Sequence, residues 1–255
     1  MKSWCFILKI FYFRLFLTIT NSKSVNIKPY HSISIQDCEE PLVTIPLEKF
    51  SIESPHPYEK LGAIYQGKSP YYLRQGVLDA LLKAQTHLHQ EYPGWNIQIF
   101  DAYRPVQVQQ FMVDYTFNLV IKEQKLIREN LTLQQQQTIW EKVYQIWAIP
   151  SDDHATPPPH STGAAIDITL VDNQGNSLNM GGEIDELSGR SHPNYYINNN
   201  SKTERTYHKR REILKKIMTK AGFCRHPREW WHFSLGDQIW AWQKGKSIAH
   251  YGRIT

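Results

Sequence analysis

Three separated segments of the sequence hold residue types suited to metal-assisted chemistry. They are residues 101–105, 157–167 and 229–233, and together they supply imidazoles, carboxylates and a guanidinium without any cysteine. When thiolates are absent, zinc prefers imidazole and carboxylate ligands, and a catalytic zinc keeps one coordination position open for water. The three segments therefore indicate a candidate hydrolytic metal site.

The candidate metal ligands are His160, Asp167 and His232. His160 and Asp167 lie in one segment, with Gly163 between them for a tight turn, and His232 comes from a separate predicted strand. Two neutral imidazoles and one carboxylate would leave a net positive charge on one Zn²⁺ per chain. Water bound to such an ion can have a pKa of about 7, so hydroxide becomes available at neutral pH.

A hydrolase also needs a general base near the water, and Glu229 is the candidate. In an ideal strand, positions 229 and 232 would face opposite sides of the sheet. We therefore expect either a bulge at this point or a strand that begins after Glu229.

Arg104 is the candidate group for stabilising negative charge. The tetrahedral intermediate of amide hydrolysis carries an oxyanion, and losing one fixed donor to it typically costs ~3 kcal/mol, roughly a hundredfold in rate. Arginine suits this role because it stays protonated.

Each of these residues also has a purely structural interpretation. Asp167 lies in an apolar run and needs a partner, because burying an unpaired carboxylate is costly. An ion pair with Arg104 would meet that need as well as a metal would. His160 alone could be an ordinary hydrogen-bonded histidine, and the neighbouring aromatic residues are predicted to form core and pocket wall: Trp230, Trp231 and Phe233.

The surrounding pattern predicts helices over residues 75–92, 105–124 and 133–148, and from Ser201, with a capping box to Glu204, as far as Gly222. Strands are predicted over residues 42–45, 95–100, 164–171 and 230–235. Residues 173–200 are rich in Gly, Asn and Ser and predict a long surface loop, which is often functional. Since helices and strands do not alternate regularly, the pattern indicates an α+β fold.

Composition limits the class of protein. The 255 residues suffice for one large domain, and 41% hydrophobic with 21% charged residues is typical of a globular protein. The net charge of +5 comes from 29 basic and 24 acidic residues and includes no long basic run. We therefore expect no nucleic-acid partner. The three cysteines, Cys5, Cys38 and Cys224, form no CxxC pair and predict neither a thiolate zinc site nor a disulfide framework.

The first 35 residues are predicted to be an extension outside the domain, which covers residues 36–255. Residues 4–20 are apolar, but Lys9 and Arg14 interrupt them. A weak signal, a membrane anchor and an unstructured start all fit this pattern. We expect a cytoplasmic protein. A periplasmic or membrane-anchored one, and any membrane association, would require the N-terminal segment to act as signal or anchor.

The order of these motifs resembles the M15 metallopeptidases, the zinc D,D-peptidases that share their fold with the Hedgehog signalling domain. The motifs look most like those of D-alanyl-D-alanine dipeptidases, the type associated with vancomycin resistance. The resemblance covers roughly residues 40–240 and rests on several ordered segments: DAYRP (101–105), HSTGAAIDITL (160–170), MGGEID (180–185), RSH (190–192) and EWWH (229–232).

This resemblance implies a central antiparallel sheet flanked by helices. It also implies that His160, Asp167 and His232 hold zinc, that Glu229 is the general base and that Arg104 steadies the tetrahedral intermediate. Two further residues take roles in binding a small D,D-dipeptide. Asp185 would hold its free amine and Tyr58 would line the pocket.

The sequence departs from the family pattern at two places. Pro158 stands where a serine is common, two residues before the first metal ligand, and Pro159 follows it. Two prolines remove donors that could bind a substrate carboxylate. Ile184 stands before Asp185 where an aromatic residue is common.

The leading hypothesis is hydrolysis of D-alanyl-D-alanine in cell-wall peptidoglycan metabolism. One alternative is a D,D-carboxypeptidase or endopeptidase that acts on larger peptidoglycan peptides. Another is a non-catalytic zinc-containing module that binds peptidoglycan, although such a module would have no use for a free base at Glu229.

Overall fold

The computed structural model describes residues 28–198 and 201–254. These ranges contain nine strands: β1 (Ser34–Ile35), β2 (Leu42–Thr44), β3 (Ser51–Ile52), β4 (Tyr72–Arg74), β5 (Asn96–Asp101), β6 (Ala165–Val171), β7 (Cys224–Arg225), β8 (His232–Ser234) and β9 (Ile248–Ala249). They also contain six α-helices: α1 (Pro57–Lys60), α2 (Gln75–Glu91), α3 (Val106–Glu123), α4 (Leu133–Val143), α5 (Lys202–Lys220) and α6 (Gln238–Gln243). This mixture confirms the α+β class.

The main sheet has five strands in the order β3-β5-β6-β8-β7. Its pairs are antiparallel, as expected, except for the edge pair β3–β5, which is parallel. The chain between β3 and β5 includes α1, β4 and α2, and a parallel pair needs a long crossover of this kind.

The register of the central strands brings the segments singled out in the sequence together. Asp101 of β5 lies opposite Asp167 of β6, and Asp167 lies opposite His232 of β8. Directly opposed residues on one face of a sheet are close neighbours. Three distant segments therefore meet at one level of the sheet, beside an irregularity of β5 between Ile99 and Asp101.

The long helices pack apolar faces around this sheet. The predicted stripe of α2 is confirmed, and Val77, Leu81, Ala84 and Leu88 are all fully buried. The sheet packs with α2 and α5 in one apolar core, while α3 and α4 form a second core with Tyr58. Strand β6 is buried on both faces, which explains its nearly continuous apolar sequence.

Two details of the helices differ from the sequence-based expectation. The predicted capping box at Ser201 is wrong, because that side chain makes no cap hydrogen bond. Exposed N–H groups in a first helical turn can be satisfied by water instead. The capping box that does form joins Thr132 and Gln135 at the start of α4. Helix α4 ends at Val143 rather than at residue 148, since the chain turns there to bury Trp147.

The predicted loop after β6 has little regular structure, but Arg211 of α5 binds its backbone. The guanidinium of this fully buried arginine donates to the carbonyl oxygens of Met180 at 2.8 Å and His192 at 3.1 Å. It also lies over the rings of Tyr196 and Trp230, at 5.0 and 5.1 Å from their centroids. Burial lowers the pKa of Arg211 to about 10, so the side chain stays charged at neutral pH.

The described chain begins against the C-terminal part of the domain. Residues 29–32 form a short 3₁₀ turn that contacts α6, and β1 pairs in parallel with β9. The folded structure thus extends to the N-terminal side of the boundary predicted at residue 35. The predicted signal or anchor falls on residues 1–27, which lie outside the described residues. Among the residues described, no helix combines the length and apolar character needed to cross a bilayer.

The role of Arg211 can be tested by replacing it with methionine. We expect Arg211→Met to lower the free energy of unfolding by about 3 kcal/mol, because two buried carbonyl groups lose charged donors. Urea denaturation measures this loss. The neighbouring Arg210 makes one exposed bond to the carbonyl oxygen of Asn179, so Arg210→Met should cost less than about 1 kcal/mol. Equal losses in the two variants would contradict the assignment.

Candidate active site

The structure brings His160, Asp167 and His232 into one buried cluster. The Nε2 atom of His160 lies 3.1 Å from Nδ1 of His232. Each imidazole also faces one oxygen of Asp167, at 3.2 Å from His160 and 3.0 Å from His232. One ligand atom from each residue lies within 4.8 Å of the others, so the three could share one metal ion. Ligands bound at 2.0–2.1 Å to a tetrahedral ion lie about 3.3 Å apart, which the 3.1 Å between the two imidazole nitrogens matches.

The other nitrogen of each imidazole is occupied by a neighbouring group. Nδ1 of His160 donates to the carbonyl oxygen of Ala102 at 2.7 Å. Nε2 of His232 donates to the hydroxyl of Ser234 at 3.3 Å, and that hydroxyl donates to Asp237 at 2.7 Å. These bonds fix the orientation of each ring and leave its other nitrogen facing Asp167 and the second imidazole. Such outer partners orient the histidines of metal sites.

Asp167 is ionised in this environment. Burial by itself raises the pKa of Asp167, but the adjacent His160 and His232 outweigh it and hold that pKa well below the ordinary value. A buried carboxylate that stays charged at neutral pH is a suitable ligand for a divalent cation.

Arg104 lies in the short segment between β5 and α3 and is buried, with 3% of its surface exposed. It donates to Asp101 at 2.8 and 3.1 Å, to Gln109 at 2.8 Å and to the hydroxyl of Tyr58 at 2.9 Å. Its contact with Asp167 is longer, at 3.4 Å. The ion pair that the sequence left open as an alternative therefore forms mainly with Asp101, and Asp167 still faces both histidines.

Glu229 lies just before β8, which begins at His232, so the expectation of a strand that begins after Glu229 matches the structure. One carboxylate oxygen lies 3.8 Å from Nδ1 of His232, and the other lies 3.2 Å from Nδ1 of His226. Burial raises the pKa of Glu229 well above its ordinary value, and the negative charges of Asp167 and Asp185 raise it further. A carboxyl group in this position can accept a proton and pass it on.

Asp185 is linked to Arg104 through the hydroxyl of Tyr58. The hydroxyl of Tyr58 accepts a hydrogen bond from Arg104 and donates one to Asp185 at 2.7 Å. Burial raises the pKa of Asp185 to about 7, with a contribution from the charge of Asp167. Asp185 has a φ of 64°, a left-handed conformation that is uncommon outside glycine and that aspartate tolerates better than most residues.

One cavity of about 250 Å³ connects these groups. It is lined by six of the seven predicted site residues: Arg104, His160, Asp167, Asp185, Glu229 and His232. The seventh, Tyr58, meets the site through its hydroxyl. The structure thus places all seven in one site, while their individual roles stay predictions.

Sequence reasoning assigned no role to several residues that the structure places in or beside this site. Asp101, fully buried, contacts Arg104 and lies 3.3 Å from Nδ1 of His160. His226 adjoins Glu229. The signal for both was their position inside or next to a segment already singled out. No local pattern marked the cavity-lining residues Lys28 and Tyr30, which precede the folded segments that were predicted.

Comparison with known proteins places the chain in a peptidase family. Residues 51–249 match the model of the Peptidase_M15 family, described as D-ala-D-ala dipeptidase. The chain therefore belongs to the M15 peptidases, which are hydrolases.

The chain is also similar to individual proteins. The chain is 54% identical over 240 residues to the D-alanyl-D-alanine dipeptidase of Synechocystis sp., a match that spans 89% of this chain and 97% of the relative. It is 27% identical over 160 residues to the D-alanyl-D-alanine dipeptidase of Enterococcus faecalis, across 62% and 71% of the two chains. A solved structure of VanYB in complex with D-Alanine-D-Alanine aligns with a TM-score of 0.45 and 12% identity, over 84% of this chain and 93% of that one.

The cluster of His160, Asp167 and His232, here called the metal cluster, predicts that each chain binds one divalent ion. Titration of metal-free protein with Co²⁺, followed by visible absorption, should reach its end point at one equivalent. His232→Ala should weaken binding by more than about 100-fold, because losing a ligand costs more than losing an outer partner. His250→Ala, at an exposed histidine, is the matched control and should bind like the unchanged protein. Unaltered binding by His232→Ala would exclude this cluster as the metal site.

Proposed function

We propose that this protein hydrolyses the dipeptide D-alanyl-D-alanine with one bound Zn²⁺ and takes part in peptidoglycan metabolism. The observation that carries the proposal is the single small cavity in which the three-residue metal cluster, Glu229, Arg104 and Asp185 meet. The high identity to a D-alanyl-D-alanine dipeptidase over nearly the whole relative supports the same substrate.

The donor set favours zinc as the metal. Two imidazole nitrogens and one carboxylate oxygen, without thiolates, match the ligands of catalytic zinc sites that keep a position open. When bound, the ion would polarise the scissile carbonyl and lower the pKa of water. His160, Asp167 and His232 would hold it.

Glu229 is the proposed general base. Its raised pKa lets it take a proton from the attacking water at neutral pH and keep that proton long enough to give it to the leaving amine. The bound cation would lower this pKa from its metal-free level, so the carboxylate form needed for the first transfer would be more populated.

Arg104 is the proposed stabiliser of the oxyanion. Its guanidinium is fixed in advance by Asp101, Gln109 and Tyr58, so no reorganisation is needed when charge develops on the carbonyl oxygen. The aromatic rings of Tyr58 and Trp147 lie 4.8 and 4.9 Å from its central carbon and exclude water around it.

Asp185 is the proposed partner of the substrate's free ammonium group. Arg104 compensates part of the negative charge of Asp185 through the Tyr58 hydroxyl. Because the pKa of Asp185 is raised, an incoming ammonium group would favour its ionised form. Binding an amine at this end would select substrates without an acyl group there. A cavity below the roughly 300–1,000 Å³ of drug-sized sites also suits a dipeptide better than a larger peptidoglycan peptide.

If the protein is a dipeptidase rather than a peptidase for larger peptides, it should prefer a dipeptide with a free amino group. We expect kcat/KM for D-alanyl-D-alanine to exceed that for N-acetyl-D-alanyl-D-alanine by at least about a hundredfold, since an acylated amine leaves Asp185 without its cation. Amino-acid analysis of released D-alanine measures both rates. Cleavage of the acylated substrate alone would favour the D,D-carboxypeptidase alternative, and cleavage of neither would favour a non-catalytic module.

The role of Glu229 predicts a specific defect in Glu229→Gln. The amide keeps the size of the side chain but cannot accept the proton, so kcat should fall about 10²–10⁴-fold while one zinc per chain is retained. Metal analysis and steady-state kinetics on the same preparation test this. Glu212→Gln, on the exposed side of α5, is the control and should keep full activity. A fully active Glu229→Gln enzyme would overturn the assignment.

A further inference from the structure

Part of the cavity wall takes no role in the proposed chemistry. Lys28, Tyr30 and Arg228 line the same cavity as the metal cluster and Glu229. Lys28 and Tyr30 precede residues 51–249, the part that matches the family model, and Arg228 directly precedes Glu229. This group of three residues, here called the basic rim, adds two cations and a phenol to one side of the site.

The fold fixes the position of the N-terminal part of the basic rim. The 3₁₀ turn over residues 29–32 packs against α6, and β1 follows it at once to pair with β9. The side chain of Gln238 in α6 donates to the carbonyl oxygen of Ile33 at 2.7 Å. These contacts fix the segment that carries Lys28 and Tyr30 in the cavity wall.

The two cations have no partner of their own. Within residues 28–198 and 201–254, neither Lys28 nor Arg228 forms an ion pair or a side-chain hydrogen bond, whereas the nearby Arg104 is fully engaged. Burial and the positive charge of Arg228 lower the pKa of Lys28, whereas the carboxylate of Glu229 raises it. Arg228 is exposed and Lys28 is half-buried, so both cations can reach an anion that enters the cavity.

The cavity is lined by groups of both charges: the carboxylate of Asp185 and the cations of Lys28 and Arg228. The carboxyl group of Glu229 feels the charges of both Asp185 and Arg228, and Lys28 feels those of Arg228 and Glu229. A zwitterionic dipeptide carries the complementary pair, an ammonium for the carboxylate and a carboxylate for the cations.

We infer that the basic rim of Lys28, Tyr30 and Arg228 binds the C-terminal carboxylate of the dipeptide substrate. The inference rests on the proposed function, since it names the second recognition end of that site. Pro158 and Pro159, which directly precede His160, have neither a hydroxyl nor an N–H to donate to a carboxylate. Lys28 and Arg228 line the same cavity and would supply the positive charge for that binding.

The inference predicts that substitutions in the basic rim lower activity only toward a substrate that has a free C-terminal carboxylate. D-Alanyl-D-alanine and its C-terminal amide, D-alanyl-D-alaninamide, are compared in the full-length protein. We expect Lys28→Ala and Arg228→Ala each to lower kcat/KM for the dipeptide about tenfold, mainly through KM, and to leave the amide unaffected. Arg228→Lys, which keeps the charge, should recover most of the loss, and Arg228→Glu should lose more than Arg228→Ala.

Lys209→Ala, at an exposed cation of α5 that does not line the cavity, is the matched control and should behave like the unchanged protein. Equal losses on both substrates, or no loss on the dipeptide, would overturn the inference.

Calorimetric binding separates this inference from the proposed function. The Glu229→Gln protein should bind the dipeptide more tightly than its amide, and adding Lys28→Ala and Arg228→Ala should remove the difference. If the unchanged protein hydrolyses no D-alanyl-D-alanine, the proposed function fails, and calorimetry still decides the carboxylate site. Equal affinity of Glu229→Gln for acid and amide would reject the basic rim even in an active enzyme.

Discussion

The site depends on one buried negative charge, the carboxylate of Asp167 in the middle of a strand that is covered on both faces. Burying such a group without compensation is expensive. The antiparallel register compensates this charge by placing His232 of β8 directly opposite Asp167, next to one carboxylate oxygen. The turn before β6 places His160 next to the second carboxylate oxygen of Asp167. The same arrangement that makes the charge tolerable creates a three-atom binding site for a cation.

A second layer of buried polar groups links the three candidate metal ligands to Asp185. Asp101 contacts both His160 and Arg104, and Arg104 in turn holds the hydroxyl that binds Asp185. Every member of this chain has a partner, as a buried polar network requires. Orientation of the metal ligands and of the proposed amine-binding carboxylate therefore rests on one continuous network.

The cavity is completed by parts of the chain with little regular structure. The segment that carries Asp185 is held by the buried Arg211, and the N-terminal turn that carries Tyr30 is held against α6 and β9. Under the proposed function, substrate selection would lie mainly in these segments, while β6, β8 and the 3₁₀ turn before β6 would supply the three metal ligands. Loops positioned by a rigid scaffold commonly carry recognition in this way.

The sequence alone determined the α+β class and the main helices, because periodicity is a local property. It also marked Asp167 as a carboxylate in need of a partner, while the grouping of His160, Asp167 and His232 as candidate metal ligands came from the resemblance of the ordered motifs to a known family. Only the tertiary structure decided that Asp101 is the main partner of Arg104 and that Lys28 lines the cavity. Those facts depend on strand register and on contacts between chain segments far apart in sequence, which no local pattern encodes.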